Sequence, residues 1–327
     1  MKLTLEQIKA ITEGAVEVWE GQELICFSRF SREQRALYQT ENENYYIRSL
    51  STAGIKFRFR TDSKTLALRV RTEPGSSRLY FSVDIHVDGS PVGYLDDFQD
   101  PHLGTFSGEF SLGEGMKTVT VYLPWSVNTK LEALWLDDGA VLEPVHPEKK
   151  LLLYGDSITQ GFDAQRSSMR YAAKLAEFLN AEEQNRAIGG EKFCPDLVET
   201  AEAFLPDYIA VAYGTNDWST LTEQEFTERC TRFLQTVSQK YPRAKIFVIT
   251  PIWRADLDRV TAIGPFEKVE ETICRVCGAL PNVTVIRGFD LVPKDERYFY
   301  DQRVHPNDAG FTHYGEHLCR AIAQAIR

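Results

Sequence analysis

The sequence predicts a chain in two parts, a β-sandwich followed by an α/β domain built on a parallel sheet. In the first half, from about residue 45, apolar and polar residues alternate with a period of two between turn residues, as in half-buried antiparallel strands. In the second half, apolar segments of strand length alternate with helical patterns, which indicates a parallel sheet covered on both faces. A polar stretch with prolines over residues 143–150 separates the two, so we place the domains at 1–147 and 148–327.

Length, charge and cysteine usage narrow the class of protein. The chain has 327 residues, long for one domain, and a formal net charge of −10, which argues against nucleic acid and anionic membranes as partners. Charged residues at the start interrupt the apolar core that a signal peptide needs, and no segment approaches the ~20 apolar residues of a membrane-spanning helix. Six scattered cysteines suit buried thiols, and Cys274 and Cys277 fall in a helical pattern. We therefore expect a cytoplasmic protein without membrane or nucleic-acid partners.

The first half reads as a jelly roll preceded by a short helix. Thr4 and Gln7 are spaced for a capping box at the start of that helix. Alternating segments at residues 55–60, 66–71, 81–88 and 118–123 predict antiparallel strands. The basic residues of the first two segments are expected on a solvated outer face. Nothing in this half has a catalytic spacing.

The second half predicts a sheet whose loops gather polar residues at one edge. We expect strands at 151–154, 184–188, 208–212, 245–250 and 283–286, and helices at 168–179, from 195, and at 223–240, 267–277 and 308–326. Right-handed crossovers bring all the strand-to-helix loops to the same edge of such a sheet. Ser157, Gly190 and Asn216 each follow a strand, and His305 precedes the last helix, so the four should meet at that edge.

These four residues have the chemistry of acyl transfer through a serine. A serine hydroxyl is a weak nucleophile until a neighbouring base takes its proton, and His305 is the one histidine in a strand-end loop of this half. The developing oxyanion needs hydrogen-bond donors, which the backbone N–H groups of Ser157 and Gly190 and the side-chain amide of Asn216 can supply. We therefore predict a serine nucleophile, a histidine base and an oxyanion hole, with no metal or organic cofactor required.

The motifs around these residues resemble those of the SGNH (GDSL) hydrolase family. The blocks Gly155–Gly161 (GDSITQG), Gly190, 214–217 (GTND) and 305–308 (HPND) occur in the family's order. The resemblance implies a flavodoxin-like three-layer fold and ester hydrolysis through an acyl-enzyme. It assigns Ser157 as nucleophile and His305 as base, and it favours Gly190 over Gly189 beside Asn216 in the oxyanion hole. The nucleophile elbow of the α/β-hydrolases, G-x-S-x-G, does not fit, because residue 159 is threonine.

The third member of the catalytic set is open at this stage. The family usually has an aspartate three residues before the histidine, where this chain has Gln302, and Asp301 lies one residue further back. Asp301 reaches the imidazole if an extra loop residue is accommodated, and it then fixes the tautomer of His305. Otherwise Ser157 and His305 form a dyad, in which a backbone carbonyl or Gln302 orients the ring.

The predicted substrate is a small-molecule or oligosaccharide acyl ester. A jelly roll before the hydrolase domain resembles carbohydrate esterase family 2, which implies removal of acetyl groups from sugars. Trp218 and Trp253 follow strands and are candidates for stacking on a sugar ring. A short-chain carboxylesterase or thioesterase of the same fold is the alternative enzyme. A carbohydrate-binding protein without activity is the alternative from another class.

Overall fold

The computed structural model describes residues 1–202 and 204–326, which fall into two units. The first comprises Met1–Glu148 with two short segments, Gln165–Ser168 and Glu182–Gln184. The second comprises Lys149–Ala164, Met169–Ala181 and the chain from Asn185 onward. The domain boundary predicted between residues 147 and 148 remains a prediction. None of the described helices is long and apolar enough to cross a membrane.

The first unit is a sandwich of two antiparallel sheets. Its strands are β1 Thr12–Glu13, β2 Glu17–Gly21, β3 Leu24–Ser28, β4 Lys56–Thr61, β5 Thr65–Pro74, β6 Ser82–Val87, β7 Ser90–Asp96, β8 Thr105–Ser111, β9 Lys117–Tyr122, β10 Val127–Leu136 and β11 Glu143–Pro144. The sheets have the orders β1-β4-β9-β6-β7, with β11 beside β4, and β2-β3-β10-β5-β8. The antiparallel pairs β3/β10, β4/β9, β5/β8 and β6/β7 are nested along the chain. This nesting is that of a jelly roll, as predicted.

Three helices accompany the sandwich in the described residues: α1 Leu5–Ile11, α2 Arg32–Glu41 and α3 Glu43–Ser49. The predicted capping box is present at α1, where Thr4 and Gln7 exchange side-chain and backbone hydrogen bonds. The predicted solvated basic face on β4 is wrong at two positions. Lys56 is buried with its Nζ 3.4 Å from Glu13, and Arg58 lies 3.5 Å from the same carboxylate. The short strand β1 pairs with β4 and brings Glu13 opposite Lys56, so these charges are buried as partners.

The second unit is built on a parallel sheet with the order of flavodoxin. Its strands are β12 Lys149–Gly155, β13 Ala181–Asn185, β14 Tyr208–Ala212, β15 Lys245–Ile249 and β16 Val283–Ile286, and their order is β13-β12-β14-β15-β16. Numbered within the unit, this order is 2-1-3-4-5. The pairs β12/β14, β14/β15 and β15/β16 are parallel. The predicted flavodoxin-like α/β class is therefore confirmed.

Helices connect these strands, in the order α4 Ser157–Gln160, α5 Tyr171–Phe178, α6 Pro195–Glu199, α7 Thr215–Thr220, α8 Glu223–Lys240, α9 Glu267–Cys277 and α10 Asp308–Ala325. Short 3-10 helices lie at Ser167–Met169 and Glu296–Tyr298. The strand predicted at 184–188 begins earlier, at Ala181. The prediction missed its start because this part of the strand carries the polar residues Glu182, Glu183 and Gln184. The apolar residues after it therefore belong to the loop that leads to Gly190.

Candidate active site

Ser157 is the first residue of α4, directly beyond the buried strand β12. The side chain of Asp156 caps this helix by accepting a hydrogen bond of 3.0 Å from the Ile158 N–H. Gly155 has no room for a side chain, since a Cβ there would lie 2.1 Å from Thr159 Oγ1. The close approach of strand and helix at Gly155 thus presents the serine hydroxyl at the carboxyl end of the sheet, where α/β folds bind ligands.

The structure brings His305 onto Ser157. The serine Oγ lies 2.9 Å from His305 Nε2. The loop that carries the histidine is fastened on both sides, because the Tyr300 N–H donates to the His305 carbonyl at 2.8 Å and the Asn307 N–H donates to Tyr298 at 2.9 Å. Asn307 also caps α10. The imidazole is therefore within hydrogen-bond reach of a hydroxyl whose proton it can accept.

Asp301 completes a chain of hydrogen bonds with these two residues. Its Oδ2 lies 2.8 Å from His305 Nδ1, while its Oδ1 accepts the backbone N–H groups of Arg303, Val304 and His305 at 2.7–3.0 Å. Gln302 has the left-handed φ of +54°, and this turn accommodates the extra residue between the aspartate and the histidine. The carboxylate thus reaches the imidazole, as the first of the two arrangements requires, and its catalytic role remains a prediction.

The environment of Asp301 keeps its carboxyl group ionised. Burial alone would raise the pKa of Asp301, but the hydrogen bond from His305 and those from backbone N–H groups outweigh it and hold the pKa well below its usual range. An ionised carboxylate accepts a hydrogen bond from Nδ1–H and so leaves Nε2 as the acceptor that faces Ser157.

Two of the candidate oxyanion donors, Gly190 and Asn216, lie on neighbouring segments, a turn and the first turn of α7. The N–H of Gly189 donates to the Gln160 side chain at 2.8 Å, so that group is committed to the fold. Gly190 adopts a φ of +83°, which glycine reaches without strain. The Asn216 amide donates at 3.0 Å to the carbonyl of Glu191, the residue after Gly190. This bond ties the segment of Gly190 to α7 and leaves the second amide hydrogen of Asn216 for a ligand.

Two buried carboxyl groups lie directly beside candidate site residues in the sequence, Asp156 before Ser157 and Asp217 after Asn216. Burial raises the pKa of Asp156 to about 6 and that of Asp217 to about 7, although backbone N–H groups oppose the shift in both cases. Asp217 accepts from the N–H groups of Phe193 and Gly214, at 3.1 Å each. It therefore holds the start of α7, the helix that carries Asn216.

The two candidate tryptophans differ in exposure. Trp218 has no exposed surface, donates from Nε1 to the Gly264 carbonyl at 2.8 Å, and packs edge-on against Phe266 with the Arg254 guanidinium over its ring. Its ring faces are covered, so the expectation that Trp218 stacks on substrate is corrected to a packing role. Trp253 is partly exposed and lies 5.3 Å from Phe299, ring centre to ring centre.

The structure adds two residues to the site that the sequence analysis did not single out. The Phe162 ring lies 5.6 Å from the His305 ring, and Asp163 Oδ2 lies 3.5 Å from His305 Nδ1. Asp163, Asp301 and His305 offer ligand atoms within 4.8 Å of one another, a donor set that a divalent cation could use. A cation on Nδ1 would displace the proton that Asp301 accepts. The one sequence signal that could have indicated that Asp163 lies near His305 is its position two residues after the GDSITQG motif.

The second unit thus has a flavodoxin-like α/β fold with Ser157 beyond the end of its first strand and His305 and Asp301 beside it. Residues 153–312 match the model of the GDSL-like Lipase/Acylhydrolase family. The second unit is therefore a GDSL-like lipase/acylhydrolase domain, as the resemblance implied.

Solved structures share the fold over nearly the whole chain. A putative GDSL-like lipase from Bacteroides ovatus has a TM-score of 0.79 at 20% identity, over 100% of this chain and 98% of that one. The salicylyl-acyltransferase SsfX3 from a tetracycline biosynthetic pathway has 0.78 at 20% identity, over 96% and 94%. A family two carbohydrate esterase from Cellvibrio japonicus has 0.67 at 16% identity, over 99% and 97%. None of the curated proteins matches the sequence.

Proposed function

We propose that the protein is a serine esterase that removes small acyl groups from carbohydrate esters, with acetyl as the preferred group. The observation that carries the proposal is the continuous chain of hydrogen bonds from Ser157 Oγ through His305 to Asp301, at 2.9 and 2.8 Å. A hydroxyl, a base and a carboxylate in this order form the arrangement that activates a serine for acyl transfer.

In the proposed reaction, Ser157 Oγ attacks the ester carbonyl carbon while His305 Nε2 takes the hydroxyl proton. The oxyanion accepts hydrogen bonds from the N–H groups of Ser157 and Gly190 and from the Asn216 amide. The carbon–oxygen bond to the alcohol then breaks, and His305 returns the proton to the leaving oxygen. Water, deprotonated by His305, then attacks the acyl carbon. The bond from this carbon to Ser157 Oγ breaks, and His305 returns the proton to Oγ as the carboxylic acid leaves. Asp301 stays ionised throughout and stabilises the imidazolium that forms twice in the cycle.

The choice of a carbohydrate ester draws on two kinds of support. The two-unit fold is shared with enzymes named as carbohydrate esterases. Trp253 is partly exposed and packs on Phe299, and Phe299 pairs with Pro306 beside the proposed base. An aromatic side chain in that place can stack on a sugar ring and orient its acylated hydroxyl. The cytoplasmic location predicted from the sequence remains a prediction.

A panel of esters tests this proposal. We expect acetylated mono- and oligosaccharides to be cleaved with higher kcat/KM than nitrophenyl esters of C2–C12 acids, and Trp253→Ala to raise KM for the sugars only. A thioester series and an added alcohol acceptor distinguish a thioesterase and an acyltransferase from the proposed esterase. Ser157→Ala removes turnover, whereas Ser107→Ala, on the exposed part of β8, serves as the matched control and leaves it unchanged.

Preference for long acyl chains would remove the deacetylase proposal. Specific binding of a sugar by a protein that cleaves none of these esters would support the carbohydrate-binding alternative.

A further inference from the structure

We propose that Asp163 is a positioning residue that holds His305 toward the nucleophile, in addition to Asp301. The inference rests on the proposed function, because it assigns a second carboxylate to the same base. Its basis is the 3.5 Å contact between Oδ2 of the fully buried Asp163 and Nδ1 of the partly exposed His305.

Asp163 belongs structurally to the segment that carries the nucleophile. The N–H groups of Gly161 and Phe162 both donate to the Ser157 carbonyl at 2.9 Å, and the Ala164 N–H donates to Gly161 at 3.1 Å. The chain after α4 is therefore folded back onto the first turn of that helix. The position of the Asp163 side chain is therefore set by the segment of Ser157 and not by the loop of His305.

The backbone at Asp163 is held in an uncommon conformation. Its φ is +69°, in the left-handed region that L-residues rarely adopt and that aspartate, asparagine and glycine tolerate best. Such conformations persist where the surrounding structure determines them, and they are frequent at functional sites. Here the conformation directs a carboxylate with no exposed surface to the imidazole.

The two carboxylates act on the ring from different segments. Asp301 accepts the backbone N–H groups of residues 303–305, so it orients the imidazole within its own loop. Asp163 orients the same ring relative to the helix of Ser157, and the Phe162 ring packs beside the imidazole. The Nδ1–H group donates its hydrogen bond to Asp301 at 2.8 Å. The longer contact to Asp163 strengthens when the imidazole takes the serine proton and becomes charged. Asp163 thus favours the charged state of the base in the transition state.

The test uses Asp163→Asn and Asp163→Gly, which remove the charge and keep residues that tolerate a positive φ. We expect each to lower kcat about tenfold with KM nearly unchanged, the equivalent of one pKa unit of charge interaction. Among the described residues, the carboxyl groups of Asp163 and Asp301 contact His305 Nδ1, and that of Asp156 interacts with His305 electrostatically. Removal of one should move the acidic limb of the kcat/KM profile to lower pH by about half a unit to one unit. Combination with Asp301→Asn should give a non-additive loss, since both groups act on one ring.

Asp88→Asn is the matched control, because Asp88 also has a left-handed φ, +47°, but lies on an exposed turn of the jelly roll. It should leave kcat and the pH profile unchanged. Wild-type kcat with an unmoved acidic limb in folded Asp163→Asn or Asp163→Gly overturns the inference. So does a loss of activity that only follows a loss of folded protein. If Ser157→Ala keeps its activity, the proposed function itself fails, and this result is separable from the other two.

Discussion

Replacement of Asp301 by asparagine and by alanine separates the two tasks of this carboxylate. One oxygen faces His305 Nδ1 at 2.8 Å, and the other caps the loop through the N–H groups of residues 303–305. Asparagine keeps an oxygen for the loop but turns an amide N–H₂ toward the imidazole. Alanine removes both functions. The two variants should therefore rank in opposite orders for stability and for turnover.

The magnitudes follow from these contacts. An amide opposite Nδ1 favours the tautomer with the proton on Nε2, which cannot accept the serine proton, so Asp301→Asn should lower kcat by ~10²–10⁴. This factor corresponds to about 3–5 kcal/mol of transition-state stabilisation. Asp301→Ala leaves three N–H groups without their acceptor in a partly exposed loop. We expect this loss to lower the free energy of unfolding by about 2 kcal/mol, with a smaller effect for the asparagine variant.

Steady-state kinetics on an acetyl ester and urea unfolding at one pH measure both rankings. We expect Asp301→Asn to be the more stable variant and at least as inactive as Asp301→Ala, with His305→Ala as the reference for loss of the base. Turnover of Asp301→Asn within a few-fold of wild type would refute the assignment of a triad and return the site to a Ser157–His305 dyad.

Three further outcomes are expected. Asn216→Ala should lower kcat by ~10²–10³ with little change in KM, because the amide acts on the oxyanion, and an unchanged kcat contradicts this role. Asp156 has a folded pKa of about 6, so between about pH 4 and pH 6 only the folded state keeps its proton, and stability falls as pH rises through that window by up to ~1.4 kcal/mol per unit. Asp156→Asn should flatten this part of the pH dependence in urea unfolding, and an equal slope in the variant is the contrary result. Prolonged dialysis against EDTA should leave turnover unchanged, whereas loss and recovery with a divalent cation would assign Asp163, Asp301 and His305 to a metal.

The regular elements of the second unit were predictable because their patterns are long or strongly periodic. Helices α8 and α9 and strand β16 have the predicted bounds, and the predicted jelly roll is present. Strand β13 was misplaced because buried polar side chains replace the apolar signal. Burial of Lys56 on β4 depends on Glu13, a residue more than forty positions away, so alternation along one strand could not reveal it.

The residues of the candidate site that lie in a sequence motif were predictable. Those that only the folded chain brings to the site were not. Ser157 and His305 follow from their motifs, and the structure brings them to 2.9 Å. The contact of Asp301 depends on the left-handed turn at Gln302, which has no sequence signature of its own. Asp163 reaches the base only through the fold of the segment after α4. The burial of Trp218 results from tertiary packing on Phe266 and Arg254, which no local pattern encodes.

The most direct test of the central claim, an acyl-enzyme on Ser157, is the intact mass of the protein after reaction with a serine-directed phosphonate. We expect one adduct per chain, located at Ser157 by peptide mapping, absent in Ser157→Ala and formed far more slowly in His305→Ala. Folded wild-type protein that cleaves acetyl esters without forming this adduct, or that carries it on another residue, would contradict the account.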